Sequence, residues 1–184
     1  MSASDLEIRT MTRSEVELAV EWAAREGWNP GLMDAGCFHG ADPQGFLIGH
    51  VDGKPAAIIS AVAYGAGLGF IGFYIVDPEF RGQGHGWRIW QAGMARLAGR
   101  VIGLDGVVAE QANYAKSGFT LVHRNIRHGG TPPIDERAAT ATLLDAERVP
   151  IEQLIDYDAK HFSVPRPDFL RCWLRPERRR GKVA

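Results

Sequence analysis

Three features of the sequence predict a mixed α/β domain whose mixed central sheet is covered by helices on both faces. Apolar runs of strand length, LGFIGFYIV at 68–76 and VIGLDGVVA at 101–109, read continuously rather than alternately, as strands covered on both sides do. Stretches of helical spacing separate such runs, so the cover comes from helices. An Asp-Gly pair at 52–53 divides two further apolar runs and predicts a hairpin, because Asp-Gly tolerates the positive φ of a tight turn.

Taken in order, LEIRTM is a short strand, and Thr12 with Glu15 has the capping-box spacing of a helix start. Val16, Ala19, Val20 and Ala23 follow at helical intervals, the helix should end near Gly27, and WNPG turns the chain into a second helical stretch through about Phe38. The hairpin GFLIGHVDGKPAAIISAVAY leads to LGFIGFYIV, expected to be the central strand. Trp87, Trp90, Met94 and Leu97 form one stripe of a helix that stops at Gly99. VIGLDGVVA is read as a buried strand, 111–117 as a short helix or turn, and FTLVHRNI as another strand. Beyond Gly129, GGTPPIDERA reads as a linker, ATLL as strand-like and IEQLIDYDAKHF as a helix, and RPERRRGKVA as a solvated basic tail.

A chain of 184 residues can bury one core, and 21 basic against 22 acidic residues give no field to gather nucleic acid or an anionic membrane. The two cysteines, Cys37 and Cys172, suggest neither a disulfide framework nor a zinc knuckle, and a reducing cytosol fits. Cys37 is expected to pack or to wall a pocket. His39, His50, His85, His123 and His128 show no metal-ligand spacing and are read as surface or hydrogen-bonding residues, His85 as at most a loop contact, and no metal is expected. With no apolar run of membrane-spanning length and no export pattern at the start, a soluble cytoplasmic protein is expected.

The stretch VDPEFRGQGHGWRIW places Gly82, Gly84 and Gly86 between an apolar strand and an amphipathic helix. There the backbone can curl so that several N–H groups converge at a helix start, where the dipole is positive, which makes a phosphate cradle. Arg81, and Arg88 beside it, would supply full charges. A nucleotide-hydrolase loop would end in Gly-Lys-Ser/Thr, whereas Gly86 precedes Trp87 and Arg88. A dinucleotide fingerprint needs G-x-G-x-x-G on the first strand-to-helix turn, and this loop is G-x-G-x-G after several strands.

The pattern R-G-x-G-x-G after V-x-P resembles the acetyl-CoA loop of the GNAT superfamily of N-acetyltransferases. NYAKSGF, with Tyr114, Gly118 and Phe119, resembles that superfamily's element after the next strand, so the likeness covers about residues 5–128. It implies the acyl-CoA N-acyltransferase fold in residues 1–130. The run EGWNPG from Glu26, together with IGLDGV, resembles a branch that carries a second, smaller acetyltransferase-like domain. Residues 131–184 are then a linker and an extension resembling the opening of that domain, here cut short. Such an extension would cap the first domain, join a neighbouring chain in a homodimer, or be a remnant.

The resemblance implies that acetyl-CoA lays its diphosphate on Gly82, Gln83, Gly84, His85, Gly86 and Trp87, with Arg81 beside them. The pantetheine arm would pair with Tyr74, Ile75 and Val76 and touch Asn113. It further implies direct attack by an amine of a small molecule or peptide, an amide of the central strand steadying the oxyanion, and Tyr114 protonating the departing thiolate. An alkylamine of pKa about 10.4 costs roughly 4.6 kcal/mol to deprotonate at pH 7, so a base is useful. Asp105, set in an apolar run, and Glu110 are the candidates. Trp28, Asn29 and Asp34 would wall the acceptor cleft, with Asp34 attracting a cation or capping a turn. A non-catalytic acyl-CoA sensor on the same fold, or an assembly module with an idle cleft, are the competing readings.

Overall fold

The structure, a computed structural model, describes residues 5–126, 128–131, 142–162, 164–174 and 180–184. The predicted strand-and-helix order is present as far as α4: β1 (Glu7–Thr10), α1 (Arg13–Arg25), α2 (Asp34–Ala41), β2 (Phe46–Val51), β3 (Lys54–Tyr64), β4 (Leu68–Val76), α3 (His85–Arg96), β5 (Val101–Leu104) and α4 (Gln111–Lys116). Beyond these come β6 (Leu144–Asp145), α5 (Ile151–Phe162), α6 (Pro167–Trp173) and β7 (Lys182–Val183).

The main sheet has the order β1-β2-β3-β4-β5, antiparallel except for the parallel pair β4–β5. It is therefore mixed, and each face carries its own core. Leu47, Ile59, Ala61 and Ile71 pack with Ile89 and Trp90 of α3 and with Leu97, its C-cap, while Phe46, Ile48, Ile58, Val62 and Ile75 pack with Val16, Ala19, Trp22 and Ala23 of α1. The alternation of Ile58 and Ile59 between the two cores is the two-residue period of a strand.

Local signals behave as the sequence predicts. Thr12 Oγ1 accepts from Glu15 N at 3.3 Å and the Glu15 carboxylate accepts from Thr12 N at 2.8 Å, a complete capping box. At the other end of α1, Gly27 N donates to Ala24 O and Trp28 N to Ala23 O, each at 3.0 Å, the paired bonds of a Schellman cap. Asp52 and Gly53 both take positive φ in the hairpin turn.

Several expectations are corrected. β4 is the fourth of five strands rather than the central one, because FTLVHRNI forms no strand over 119–126. The run at 101–109 is a strand only through Leu104 and lies at the sheet edge, with Val101 74% exposed. An apolar run shows that a strand can be covered, not that a neighbour exists to cover it. In α3 the buried line is His85, Ile89, Trp90 and Gly93, continued by the C-cap Leu97, and Trp87 is 58% exposed. His85 is thus a core residue, 2% exposed, rather than a loop contact.

The two cysteines, read as unpaired, form a disulfide that joins α2 to α6 across a sequence separation of 135. No local spacing announces such a bond, and with it the argument from free thiols to a reducing compartment falls away. Part of the tail also differs from a free end: Lys182–Val183 pairs antiparallel with Leu144–Asp145. Most of the predicted linker, residues 132–138, and 175–179 of the basic tail lie outside the described residues. No helix among the described residues is long and apolar enough to cross a membrane.

Candidate active site

The register of β4 creates the site. Ile58 pairs with Ile75 and Ser60 with Gly72, so Phe73 and Tyr74 together oppose Ile59, a bulge in which Phe73 takes φ +45°. On its other side β4 pairs with β5 only from Leu68↔Val101 to Ile71↔Leu104. From Gly72 to Val76 the edge facing β5 has no strand partner among the described residues. The ladder stops there, so main-chain groups of that edge other than Val76 O, which accepts from Arg81, have no strand partner and could pair with an extended ligand.

The glycine loop lies at the mouth of this gap. Asp77 accepts from Glu79 N at 3.1 Å and starts the tight turn Pro78–Phe80, after which Gly82 and Gly84 take φ of +76° and +85°. An L side chain is strained in that region, which explains two of the three glycines. Gly84 then serves as N-cap of α3 without a side-chain cap, leaving the first amides of the helix open to a ligand. Gly86 has a different reason to be glycine: a Cβ there would stand 2.9 Å from the Tyr74 hydroxyl and 3.1 Å from Val76 Cγ2.

Both arginines expected to face the phosphates are tied elsewhere. Arg81 Nε donates to Val76 O at 2.8 Å and its Nη2 to Glu26 Oε1 at 2.5 Å, while Arg88 Nη2 donates to Asp5 at 2.7 Å and Leu6 O at 3.0 Å. Gln83 Nε2 donates to Glu79 O at 3.0 Å. His85 lies edge-on to Phe80, ring centroids 6.2 Å apart, and its buried Nδ1 has no hydrogen-bond partner among the described residues.

Beneath the loop, Trp90 collects the phenols, its ring 5.2 Å from Tyr74 and 6.0 Å from Tyr114. Burial raises the pKa of both tyrosines above the ordinary value of 10.0. The Glu110 carboxylate adds to the rise at each, and the Val107 amide partly opposes it at Tyr114. Both phenols are protonated at neutral pH, as an ordinary tyrosine is, and burial moves their ionisation further above it.

The candidate bases are not set deep in a strand. Asp105 follows the last residue of β5, is exposed, and accepts from Asn125 Nδ2 at 3.2 Å, which gives that carboxylate the partner its apolar run called for. Glu110 is exposed and accepts from Asn113 Nδ2 at 2.6 Å, and Asn113 Oδ1 accepts from Lys116 Nζ at 3.1 Å.

Trp28 and Asp34 stand on the other face, where Trp28 borders the α1-side core. Asp34 is 6% exposed and its Oδ2 accepts from Gly31 N at 2.9 Å, with its carboxylate against the Gly31 Cα, where a Cβ would meet Oδ1 at 2.5 Å. That makes NPG-x-x-D a self-capped turn. Asn29 is exposed at φ +50°. The structure thus gathers Tyr74, Tyr114, Trp90 and Gly86, places Glu110 near them, and sets Trp28 and Asp34 apart. Sequence reasoning valued Tyr74 only for its backbone and passed over Glu26 and Phe73. The one signal for the ion pair was a carboxylate ending the first helix.

Residues 11–119 match the model of the acetyltransferase (GNAT) family, and the chain belongs to that family. Over 171 residues, 92% of this chain, it is 32% identical to holothin acyltransferase of Pseudoalteromonas sp. (strain SANK 73390), 57% of whose length it spans. A candidate acetyltransferase of Pyrococcus horikoshii has the same fold over 100% of this chain and 66% of its own, with a TM-score of 0.72 at 17% identity. A Clostridium acetobutylicum protein crystallised with acetyl-CoA covers 68% of this chain and 96% of its own, with a TM-score of 0.52 at 16% identity. The chain spans less than two thirds of the first two relatives.

Proposed function

We propose that the chain is an acetyl-CoA-dependent N-acetyltransferase that transfers the acyl group directly to an amine. The observation that carries this reading is the pairing of a parted β4 edge, Gly72 to Val76, with an uncapped α3 start. The first offers main-chain donors and acceptors to the pantetheine arm, the second converging amides to the diphosphate. Arg81, tied to Glu26 and Val76, shapes the loop rather than pairing with phosphate. The same fold with acetyl-CoA bound in the Clostridium protein supports the fit.

Acetyl-CoA brings the thioester, and the residues do the rest. An amide of the β4 bulge donates to the carbonyl oxygen as it gains charge, and the main chain fixes that donor before reaction begins. Tyr114, whose phenol is protonated at neutral pH, gives its proton to the departing thiolate. Glu110 and Asp105, both solvent-accessible, take the ammonium proton through water. Trp28 and Asn29 bound the acceptor side, and Asp34 holds the turn that carries them. The holothin acyltransferase relative favours a small-molecule amine over a peptide. The EGWNPG run is assigned to a branch with a second acetyltransferase-like domain, and a homodimer is one arrangement for the extension.

Calorimetry with CoA, followed by thiol release from acetyl-CoA over a panel of small amines, tests this reading. Micromolar binding with release supported by at least one amine is expected, and absence of binding overturns it. Binding without release by any amine would favour the sensor, a reading to which the exposed, amide-bonded Asp105 and Glu110 lend weight.

A further inference from the structure

We infer that α6 is a positioning element for the acyl-transfer site and that the Cys37–Cys172 bond decides whether it holds, an inference that rests on the reading of Gly72 to Val76 as the acyl-arm edge. Phe73 is the reason. A bulky residue at φ +45° is unfavourable unless its surroundings over-determine it. Its ring meets Phe46 at 6.4 Å, which the core fixes, and Phe38 at 5.8 Å, edge to face. Phe38 belongs to α2, a helix of 8 residues without a side-chain cap, too short to hold a ring by itself.

Phe38 borders the α1-side core, and the rings stacked on it come from the far end of the chain. It stacks on Phe169 and Trp173 of α6, each at 6.3 Å, and those two stack on one another at 5.0 Å. One residue from Phe38, Cys37 is bonded to Cys172, one residue from Trp173. An aromatic column therefore runs from α6 through Phe38 to the β4 bulge, with a covalent bond alongside it. At the start of α6 the Arg166 guanidinium lies 3.7 Å from the Phe162 ring centroid and pairs with Asp158 at 2.8 and 2.9 Å. This anchors the start of α6 to α5 and, because Phe162 meets Tyr64 of β3 edge to face at 5.1 Å, to the sheet as well. The far end of α6, which carries Trp173, is seated on α2 by the ring stack and by the disulfide beside it.

Reduction opens the column. A dithiol or a phosphine delivers two electrons to the S–S bond, which takes up two protons and becomes two thiols, while the dithiol closes to its own disulfide or the phosphine takes oxygen from water. Cys172 is partly exposed and Cys37 is 3% exposed, so the partly exposed sulfur is the accessible one. The loop of Gly82 to Trp87 lies outside the column, so the diphosphate seat stays while the bulge loosens, and with it the pantetheine edge and the acyl-transfer geometry.

The test compares the oxidised protein with the phosphine-reduced protein and with the Cys37→Ser/Cys172→Ser double variant. Amide exchange in 72–76 should rise about tenfold on reduction and in the double variant, which phosphine should not change further. CoA affinity by calorimetry should fall only about threefold, because the pantetheine edge must be re-ordered on binding, while kcat with any amine that supports turnover should fall about tenfold. Trp173→Ala, which keeps the disulfide, should reproduce the exchange change and Trp173→Phe should restore it. Two alkylatable thiols in protein purified without reductant would overturn the inference. So would exchange rising in α6 alone while 72–76 stays protected. The exchange readout needs no CoA, so failure of CoA to bind would count against the proposed function and not against the column.

Discussion

Gly86 and Tyr74 define each other. The φ of Gly86 is not positive, and only the phenol oxygen at 2.9 Å and Val76 Cγ2 at 3.1 Å keep a methyl group out. Gly86→Ala should therefore lower stability by about 1–3 kcal/mol through overpacking, despite the better helix propensity of alanine. Adding Tyr74→Phe should recover most of that loss, read from the midpoint of urea unfolding in the single and double variants. Tyr114→Phe should cut kcat about a hundredfold or more while CoA affinity stays within twofold, and equal turnover would remove the phenol from the reaction. Spectrophotometric titration should find the ionisation of Tyr74 and Tyr114 above 10.0, the ordinary value. The glycine loop was legible because G-x-G-x-G after a strand is a local pattern. The Tyr74 side chain was not, since its partner, Gly86, faces it only once α3 lies on the sheet.

Among the elements, the start of α1 offers the clearest acid dependence. Arg9 donates two hydrogen bonds to Glu15, at 2.8 and 2.6 Å, and this pairing, with smaller help from Thr12, lowers the carboxyl from 4.5 to about 2. A carboxylate with a depressed folded pKa stabilises the fold above its unfolded value and loses that contribution as pH falls through its folded value. The contribution of Glu15 should thus be complete above about pH 4.5 and gone below about pH 2. Glu15→Gln should flatten that part of the acid-unfolding profile and leave the neutral limb shifted down by a constant amount. Caps, hairpin and helices were readable because each is written within a few consecutive residues. The length of β5 and the fate of 119–126 were not: Leu104 and Leu121 are equally apolar on the page, and only tertiary pairing distinguishes strand from connection.

For the molecule as a whole, the extension beyond residue 142 is part of the fold through α6, Phe38 and the disulfide. Closing a separation of 135 residues stabilises by roughly 5 kcal/mol in the chain-entropy model, near the upper end of what such bonds deliver. Reduction with a phosphine should accordingly lower Tm by several degrees, and Cys37→Ser/Cys172→Ser should melt at the reduced value with or without phosphine. Composition pointed away from this bond, since two distant cysteines carry no spacing that says whether they meet.

The tying of Arg81 to Glu26 and of Arg88 to Asp5 has a consequence for how the protein senses its ionic surroundings. A diphosphate held by peptide dipoles rather than by mobile cations is little affected by counterions, so raising potassium chloride about tenfold should leave CoA affinity nearly unchanged. Glu26→Gln releases a guanidinium beside the loop, and the variant should bind CoA more tightly in dilute buffer and lose that advantage in concentrated salt.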